Sequence, residues 1–576
     1  MNGLLLLIIC CVALLAGYVF YGRYLCKKWG VGENDQPTPA HTMEDGIDYV
    51  PAKAPVLMGH HFSSIAGAGP INGPIQAAVF GWVPVMLWVL IGGIFFGGVH
   101  DFGALFASIR HKGESIGEVI GDAIGARAKK LFITFAYLTL SLVVAAFASI
   151  VSNTFKATYV DGVLDTAASA ANASTAIISI MFILLAILFG FFVYRRNAPL
   201  GISTVIGVAG IVICMVIGLN WHPIYLSYNV WMIIVGLYIA IASVTPVWIL
   251  LQPRDYLSSF LLYGMIILAI VGIIGAHPTV DMPAFTGFYD NLKPSGTSLG
   301  YLFPALFVTI ACGAVSGFHS LVGSGTTAKQ LDQEKDAKPI AYGGMLIECA
   351  LALISVCAVG YIWAQYKSGE TTTPTVVFAT GLASMFSKVF GDGCYNVVYS
   401  MLILAVSAFC LTSVDTATRL ARYMFQELFT PVGQDSKSLT GWRKVITNPY
   451  VATVITVVAG VALGLTGYAK IWALFGAANQ LLAALGLLAV CCWLGKIGRN
   501  NKMFYFPMFF MLVVTLTSLA FTIKTQITGI IAGGEGVAWF YIRGIIGVLL
   551  VILAIDLVVE GVKALSAQKK QRASAQ

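Results

Sequence analysis

Charged residues are scarce in this sequence. Only 10% of its 576 residues are Asp, Glu, Lys or Arg, while 58% are hydrophobic, against about 25% charged residues in a soluble domain. This composition excludes a water-soluble protein. The sequence also lacks a C-x-x-C pair, and most of its 11 cysteines lie inside apolar runs. Such cysteines are typical of small buried side chains and indicate neither disulfides nor a metal site.

The motifs of several enzyme classes are missing as well. There is no H-E-x-x-H, no G-x-S-x-G and no P-loop, and the polar loops are too short to form a catalytic domain. The net charge of +8 raises the question of nucleic acid, but the basic residues flank apolar segments and do not form one patch. We therefore expect neither an enzyme nor a nucleic-acid-binding protein, and no bound cofactor.

Apolar segments of membrane-spanning length run through the whole chain. A helix needs about 20 apolar residues to cross a bilayer, and fourteen segments meet this requirement. A fifteenth segment, residues 60–81, is apolar but rich in glycine and contains two prolines, which predicts a broken span. The fourteen regular spans lie near 3–22, 82–109, 129–152, 174–194, 199–219, 229–251, 256–276, 301–325, 341–366, 394–414, 449–468, 471–494, 503–524 and 537–562.

The basic residues indicate how these spans are oriented. If the N-terminus is outside the cell, 27 of the 34 Lys and Arg residues fall in cytoplasmic loops, as the positive-inside rule requires. If residues 60–81 did not cross, every later loop would change sides and the bias would invert. We therefore predict that this segment crosses and that the protein is a multi-pass protein of the cytoplasmic membrane with its C-terminus inside.

Two of the spans are interrupted. Lipid offers no partner for the backbone groups that glycine and proline leave unpaired, so such breaks persist only where they face protein or a cavity. The densest run, from Gly67 to Pro74, lies about ten residues into its crossing, and a second interruption is predicted at Ser243–Pro246 in the span 229–251. If residues 60–81 are counted as core span one, the span that contains the second interruption, 229–251, is core span six. The two therefore occupy matching places in two five-span halves that cross in opposite senses.

Paired interruptions of this kind are the best sequence indication of a transporter's binding site. The free N–H groups at the start of a half-helix favour negative charge, so we expect a solute that carries a carboxylate. The alternative is that membrane helices simply tolerate glycine and proline at these places. The predicted solute-binding residues are Gly67, Ala68, Gly69, Pro70, Asn72, Gly73, Ser243 and Thr245.

Ionisable residues also lie within the predicted spans, where each costs roughly 2.5–3.5 kcal/mol to insert. All of them fall on the cytoplasmic side of the bilayer midplane. A histidine changes its charge near neutral pH, so together these residues predict one protonatable cluster that couples transport to protons. The alternative is that the backbone satisfies each side chain separately, and no ligand spacing supports a metal. The residues are His60, His61, His100, Asp101, His319 and Glu348.

Five motifs, spread over most of the chain, resemble the carbon starvation protein A family. This family is similar to the amino acid-polyamine-organocation transporters, and its members carry peptides or pyruvate during nutrient limitation. The resemblance implies a leucine-transporter-like fold, with five plus five helices in an inverted repeat. The motifs are residues 59–75 (GHHFSSIAGAGPINGPI), 98–102 (GVHDF), 251–256 (LQPRDY), 317–327 (GFHSLVGSGTT) and 413–419 (SVDTATR).

The same resemblance raises sodium as an alternative coupling ion. By analogy with the leucine-transporter-like fold, a cation site would lie between Gly67–Pro70 and the hydroxyls of Ser324, Thr326 and Thr327. Such hydroxyls more often bond their own helix backbone. Two further pairs, Arg254 with Asp255 and Asp415 with Arg419, are interpreted as structural ion pairs.

These observations together predict an all-α polytopic membrane protein with about 15 transmembrane helices. We expect a proton-coupled importer of short peptides or a pyruvate-like acid, with a sodium-coupled symporter or a passive solute channel as alternatives. Its partners would be the small solute and the lipid bilayer, while the exact solute and the oligomeric state stay open. The predicted divisions are 1–58 (anchor helix and loop), 59–220 (core helices 1–5), 221–430 (core helices 6–10) and 431–576 (extra helices and a basic tail).

Overall fold

Helices make up almost all of the computed structural model. Among the residues that the structure describes, twelve helices are long and apolar enough to cross a membrane, and three more apolar helices have 10–17 residues. The strands in the described part of the chain are β1 (Thr158–Val160) and β2 (Val163–Asp165), which form one antiparallel hairpin. The prediction of an all-α polytopic membrane protein is therefore confirmed. The structure describes residues 2–33, 37–46, 48–196, 198–430, 439–533 and 536–575.

The helices fall into two runs separated by the long connection 277–301. The first run is α1 (Gly3–Ala16), α2 (Gly22–Trp29), α3 (Pro39–Thr42), α4 (Ala54–Ile65), α5 (Gly69–Ala77), α6 (Trp82–Gly92), α7 (Gly98–Arg110), α8 (Ile116–Ala123), α9 (Ala126–Phe155), α10 (Thr166–Gly190), α11 (Leu200–Asn220), α12 (Tyr228–Val244) and α13 (Leu251–Ala276). The second run is α14 (Leu302–Ile310), α15 (Gly317–Gly325), α16 (Gly344–Tyr361), α17 (Trp363–Ser368), α18 (Pro374–Phe390), α19 (Tyr395–Phe429), α20 (Gly441–Ile446), α21 (Pro449–Gly464), α22 (Tyr468–Lys496), α23 (Tyr505–Ala532) and α24 (Val537–Ala575).

The first predicted break is present but shorter than expected. Helix α4 ends at Ile65, and α5 begins at Gly69. Pro70 is placed in the first turn of α5, where its missing N–H costs no helical hydrogen bond. The interruption is therefore confined to residues 66–68, and the chain from Pro70 to Pro74 is helical.

The predicted position of the second break is wrong. Helices α12 and α13 are separate elements, joined by a turn over 245–250. Both pack on α19, but α12 also packs on α21 and α13 on α4. The true interruption separates α14 from α15: Ala311 has a φ of 43°, Ala311–Gly313 form a 3-10 turn, and residues 314–316 lie outside any helix. Ser243 and Thr245 thus mark the end of one helix and not a break within it.

The two breaks lie against each other in the interior. A Cβ atom added to Gly73 would lie 2.5 Å from the carbonyl oxygen of Ile310, and one added to Gly69 would lie 2.5 Å from the Cβ of Cys312. Only glycine lets the backbones approach this closely. The halves α5 and α14 are therefore in direct backbone contact.

The remaining helices pack in matched pairs around these breaks. Helices α9 and α19 pack along each other through the centre, and α12 packs on α21. The half-helix α5 packs on α16, and correspondingly α15 packs on α7. The short α8 contacts α22, as α18 contacts α13. Helix α18 lies within a connection and was not predicted from the sequence.

The connections gather at two opposite ends of the bundle. At one end, Ala52 donates its N–H to the carbonyl of Gln330 at 2.9 Å, and Arg110 pairs with Glu334 at 2.8 Å. At the other end, Gly3 donates to the carbonyl of Pro278 at 2.8 Å, and Thr286 donates to that of Phe80 at 3.3 Å. Since residues 52 and 80 lie at opposite ends, the broken segment between them crosses the bundle, as predicted.

Candidate functional site

A cluster of four ionisable side chains lies beside the second break. The Nδ1 of His319 is 2.7 Å from Oδ2 of Asp101, and its Nε2 is 3.4 Å from Oε2 of Glu348. The Nδ1 of His100 is 2.8 Å from the other oxygen of Asp101. All four residues are at most 2% exposed. The structure therefore brings together four of the six ionisable residues that were predicted to form one cluster.

The hydrogen bonds in this cluster fix which ring nitrogen is free. The carboxylate of Asp101 is an acceptor, so both imidazoles donate to it through Nδ1–H. The Nε2 of His319 then faces Glu348, whose two oxygens have no hydrogen-bond partner among the described residues. A buried carboxylate without a partner is costly when it is ionised. In this cluster an ionised Glu348 therefore depends on the Nε2 of His319, 3.4 Å away, for compensation of its charge.

Cys312 is a member of this site that the sequence did not reveal. Its sulfur, His319 and Glu348 offer atoms within 4.8 Å of one another, a spacing within which three ligands of one metal ion would lie. However, the Cys312 thiol donates to the hydroxyl of Ser316 at 3.3 Å, so it acts as a hydrogen-bond donor. This arrangement favours a hydrogen-bonded cluster over a metal centre, and the expectation of no metal stays a prediction.

Two carboxamides of α22 satisfy the backbone at the second break. The oxygen of Asn479 accepts the N–H of Phe318 at 2.8 Å, and its nitrogen donates to the Ser316 hydroxyl at 3.0 Å. The nitrogen of Gln480 donates to the carbonyl of Phe307 at 2.6 Å. Both side chains are completely buried. Helix α22 therefore stabilises the interruption, a role that adjacent carboxamides in a long apolar span could have suggested.

A second buried network lies beside the first break. The Nδ1 of His60 is 2.8 Å from Oδ2 of Asp255, and Arg254 pairs with the other oxygen of Asp255 at 2.8 Å. Arg254 also pairs with Asp415 of α19, which accepts a hydrogen bond from Tyr238 at 2.7 Å. The ion pair of Arg254 with Asp255 is confirmed. It lies in the buried first turn of α13 and not in an exposed loop.

The predicted pair of Asp415 with Arg419 is wrong. Asp415 pairs with Arg254, and Arg419 instead donates to the carbonyls of Ala242 at 2.9 Å and of Thr245. These carbonyls are free because α12 ends there. Arg419 therefore satisfies the end of a neighbouring helix.

The other predicted coupling residues form separate contacts. The Nδ1 of His61 is 2.8 Å from the hydroxyl of Thr327. The hydroxyls of Ser324 and Thr326 donate within their own helix, to the carbonyls of Ser320 at 2.7 Å and of Val322 at 2.9 Å. These three hydroxyls are thus already engaged in hydrogen bonds.

The predicted solute-binding residues divide into two groups. Ser243 is 3.2 Å from the hydroxyl of Thr453 on α21, and the partly buried Thr245 bonds the carbonyl of Ile241, so neither lies at a break. Asn72 accepts a hydrogen bond from Thr375 at 3.4 Å. The members of the predicted set that are buried at the first break or just after it are Gly67, Ala68, Gly69, Pro70, Asn72 and Gly73.

A polar cavity of about 250 Å³ opens near the end of α15. The ammonium of Lys329 lies 5.2 Å from the ring centres of both Tyr49 and Tyr423. Burial and the neighbouring carboxylate of Glu118 raise the pKa of Glu114. The lining residues are Tyr49, Glu114, Ser115, Glu118, Gly325, Lys329, Leu420, Tyr423, Met424 and Glu427.

A multi-pass helical body, in which two broken helices meet beside buried ionisable groups, has the architecture of a membrane transporter. The family model described as Carbon starvation protein CstA matches residues 2–370 and 363–518. The chain belongs to this family.

Curated relatives of the family are transporters by name. The Peptide transporter CstA of Bacillus subtilis (strain 168) is 30% identical over 98% of this chain and 97% of its own length. The Peptide transporter CstA of Escherichia coli (strain K12) is 34% identical, covering 88% and 79% respectively. The Pyruvate/proton symporter BtsT of the same organism is 30% identical over 89% of this chain and 81% of its own length.

Solved structures give a weaker likeness. A manganese transporter of Eremococcus coleocola aligns with a TM-score of 0.48 at 11% identity, covering 91% of this chain and 99% of that chain. MhsT in complex with L-phenylalanine aligns with a TM-score of 0.46 at 12% identity, covering 89% and 99%. With TM-scores below 0.5, the fold rests on the helices of this chain itself.

Proposed function

We propose that this protein is a secondary active transporter that imports a small carboxylate-bearing nutrient together with protons. The observation that carries the proposal is His319, which lies beside the second break with Asp101 on one side and the unpartnered Glu348 on the other. The names of the relatives support the same class, since they are peptide transporters and a pyruvate/proton symporter. Short peptides and pyruvate-like acids are therefore the solutes to test.

The meeting point of the two breaks is the proposed solute site. Helices α5 and α15 both begin there. The N–H of Phe318 at the start of α15 is bonded by Asn479, whereas the start of α5 is not capped by the side chain of its N-cap residue, Ala68. Free N–H groups at a helix start attract carboxylates. The breaks are packed on each other in this structure, so binding requires that they separate.

Coupling follows from the charge on Glu348. When the His319–Glu348 pair has lost its proton, the cluster carries more negative charge and repels a solute carboxylate. Proton binding removes this repulsion, so that solute and proton bind together. The interaction is strong because the cluster is buried in a medium of low dielectric constant.

Protons are favoured over sodium because the hydroxyls proposed for sodium, on Ser324, Thr326 and Thr327, are already engaged in hydrogen bonds.

We further propose two five-helix halves that are related as an inverted repeat. The matched packing of the helices supports a boundary between α13 and α14 and not the predicted boundary between residues 220 and 221. The new boundary leaves α10 and α11 as an insertion in the first half. The distribution of Lys and Arg supports an outside N-terminus and an inside C-terminus in the cytoplasmic membrane. Each half has five spans when α4 with α5, α6 with α7, and α14 with α15 are each counted as one span. The first half is then α4–α5, α6–α7, α9, α12 and α13, and the second is α14–α15, α16, α19, α21 and α22.

Uptake into proteoliposomes tests the proposal. Labelled pyruvate and labelled L-alanyl-L-alanine are offered under an imposed pH gradient or an imposed sodium gradient, with protein-free liposomes as the blank. We expect uphill accumulation under the pH gradient and saturable counterflow without any gradient. We also expect His319→Gln to lower pH-driven accumulation by about tenfold per pH unit, the effect of losing one coupled proton, while exchange continues.

The matched control is His222→Gln. His222 is a partly buried histidine whose Nδ1 bonds only the carbonyl of Gly218, at 3.3 Å, at the end of α11. This variant should accumulate solute like the wild type. Full accumulation by His319→Gln, or accumulation driven by sodium alone, would contradict proton coupling at this cluster. Uptake that rises linearly with concentration would indicate a channel.

A further inference from the structure

We propose that His60 and Asp255 form a second proton-binding site, so that two protons move with each solute. This inference rests on the proposed function, since it concerns how many protons are coupled. It is carried by a network at the first break, separate from the cluster around His319, and by the count of charges in that network.

The network is completely enclosed. His60, Arg254, Asp255 and Asp415 are at most 1% exposed. Arg254 bridges the two carboxylates, one on its own helix and one on α19, and His60 of α4 reaches the second oxygen of Asp255 at 2.8 Å. Four helices therefore meet here, because Tyr238 of α12 also donates to Asp415.

The charges do not balance without a proton on His60. Arg254 supplies one positive charge, and the two carboxylates supply two negative charges. Tyr238 is neutral because it donates its hydroxyl proton to Asp415. A net charge buried in a protein interior is costly. With a proton on His60 the network is neutral, and without it the network carries one uncompensated negative charge.

The other neighbours of the network do not supply the missing charge. Gln330 and Ser64 are both neutral; Ser64 is 3.5 Å from Asp255, and the amide of Gln330, whose nitrogen lies 3.4 Å from Nε2 of His60, turns its oxygen to the ring when Nε2 carries a proton. On α4, His61 bonds Thr327. On α19, Arg419 bonds the carbonyls that end α12, and its positive charge is paired with the carboxylate of Asp48 at 3.9 Å.

The groups of α7, α15 and α16 form the other cluster. There, His100 and His319 share Asp101, and His319 also faces Glu348. Each cluster thus has its own carboxylate and its own imidazole. A proton on one does not neutralise the other.

The position of His60 gives its proton a mechanical effect. Protonated His60 holds α4 to α13 through a charge-assisted hydrogen bond, which is stronger than a neutral one. Loss of the proton weakens this bond and leaves Asp255 undercompensated. Release of the second proton therefore loosens the half-helix α4, next to the proposed solute site.

The number of coupled protons can be measured at static head. Proteoliposomes are held at zero membrane potential, and the accumulation of labelled L-alanyl-L-alanine, or of pyruvate against protein-free liposomes, is followed as the pH gradient is varied. Two coupled protons give about 100-fold accumulation per pH unit, and one gives about tenfold. We expect a two-proton dependence for the wild type and a one-proton dependence for His60→Gln and for His319→Gln. The double variant should exchange solute without accumulating it.

Asp255→Asn tests the charge count independently of the imidazole. With this carboxylate removed, Arg254 and Asp415 balance each other and His60 needs no proton, so this variant should also show a one-proton dependence. His222→Gln, the matched histidine control, should keep two.

The outcomes separate this inference from the proposed function. No pH-driven accumulation by the wild type would contradict proton coupling itself. A one-proton dependence in the wild type, or a two-proton dependence retained by His60→Gln, would overturn the second site while leaving proton coupling in place. Counterflow by each variant shows that it is folded.

Discussion

The contact between the two broken helices can be tested with one methyl group. In Gly73→Ala the added Cβ would lie 2.5 Å from the carbonyl oxygen of Ile310 and 2.6 Å from that of Thr309. Both obstructing atoms belong to the backbone, so no side-chain rotation relieves the clash. Since non-bonded atoms of this size prefer roughly 3.5 Å, the half-helices α5 and α14 must move apart by about 1 Å.

The expected cost of this change is that of overpacking a well-packed interior, about 1–3 kcal/mol. Gly73→Ala should therefore lower the unfolding temperature in detergent and reduce transport, because the closed arrangement of the breaks is no longer available. Gly201→Ala is the matched control. Gly201 also lies in a helix, and nothing approaches its added Cβ within 4 Å, so that variant should be at least as stable as the wild type. If both variants melt and transport alike, the breaks do not meet as described.

Two further sets of substitutions test the buried charges and the corrected helix boundary. Arg254→Gln leaves Asp255 and Asp415 without their cation and should lower the free energy of unfolding by about 3–5 kcal/mol. Arg254→Gln combined with Asp415→Asn should lower it less. A larger loss of stability in the double variant, measured by thermal unfolding, would contradict the ion pairs. Ser243→Ala and Thr245→Ala remove hydroxyls that lie away from both breaks, so the KM for solute should stay within about twofold of the wild type, and a large rise in KM would restore them to the solute site.

The first break could be predicted from the sequence because its cause is local. Glycine and proline are concentrated between Gly67 and Pro74, and no continuous apolar helix accommodates such a run without a partner for its backbone. The exact limits could not be predicted, since Pro70 and Pro74 fit into α5 once the chain restarts at Gly69.

The second break could not be predicted in the same way because its cause is tertiary. Residues 311–316 (ACGAVS) contain one glycine and no proline. The interruption persists because Asn479 and Gln480, more than 160 positions later, bond the backbone groups that it frees. The local helix breaker in the predicted span is Pro246, which merely follows the end of α12.

The predicted cluster of histidines was divided by helix geometry. Successive residues of a helix project about 100° apart, so the neighbours His60 and His61 face different helices. His60 reaches Asp255 on α13, and His61 reaches Thr327 after α15. The residue types and their depth could be read from the sequence, but the partner of each could not.

The buried clusters around His60 and His319 lie on the same side of the proposed solute path. His60 lies on α4 and His319 on α15, the two half-helices that lead toward the end of the bundle where Ala52 bonds Gln330. The opposite half-helices, α5 and α14, meet through the backbone contact at Gly73. Backbone packing therefore closes one end of the proposed path, and ionisable groups lie toward the other. In the proposed mechanism the end with the ionisable groups faces the cytoplasm, so that deprotonation there loosens α4 and releases the solute inward.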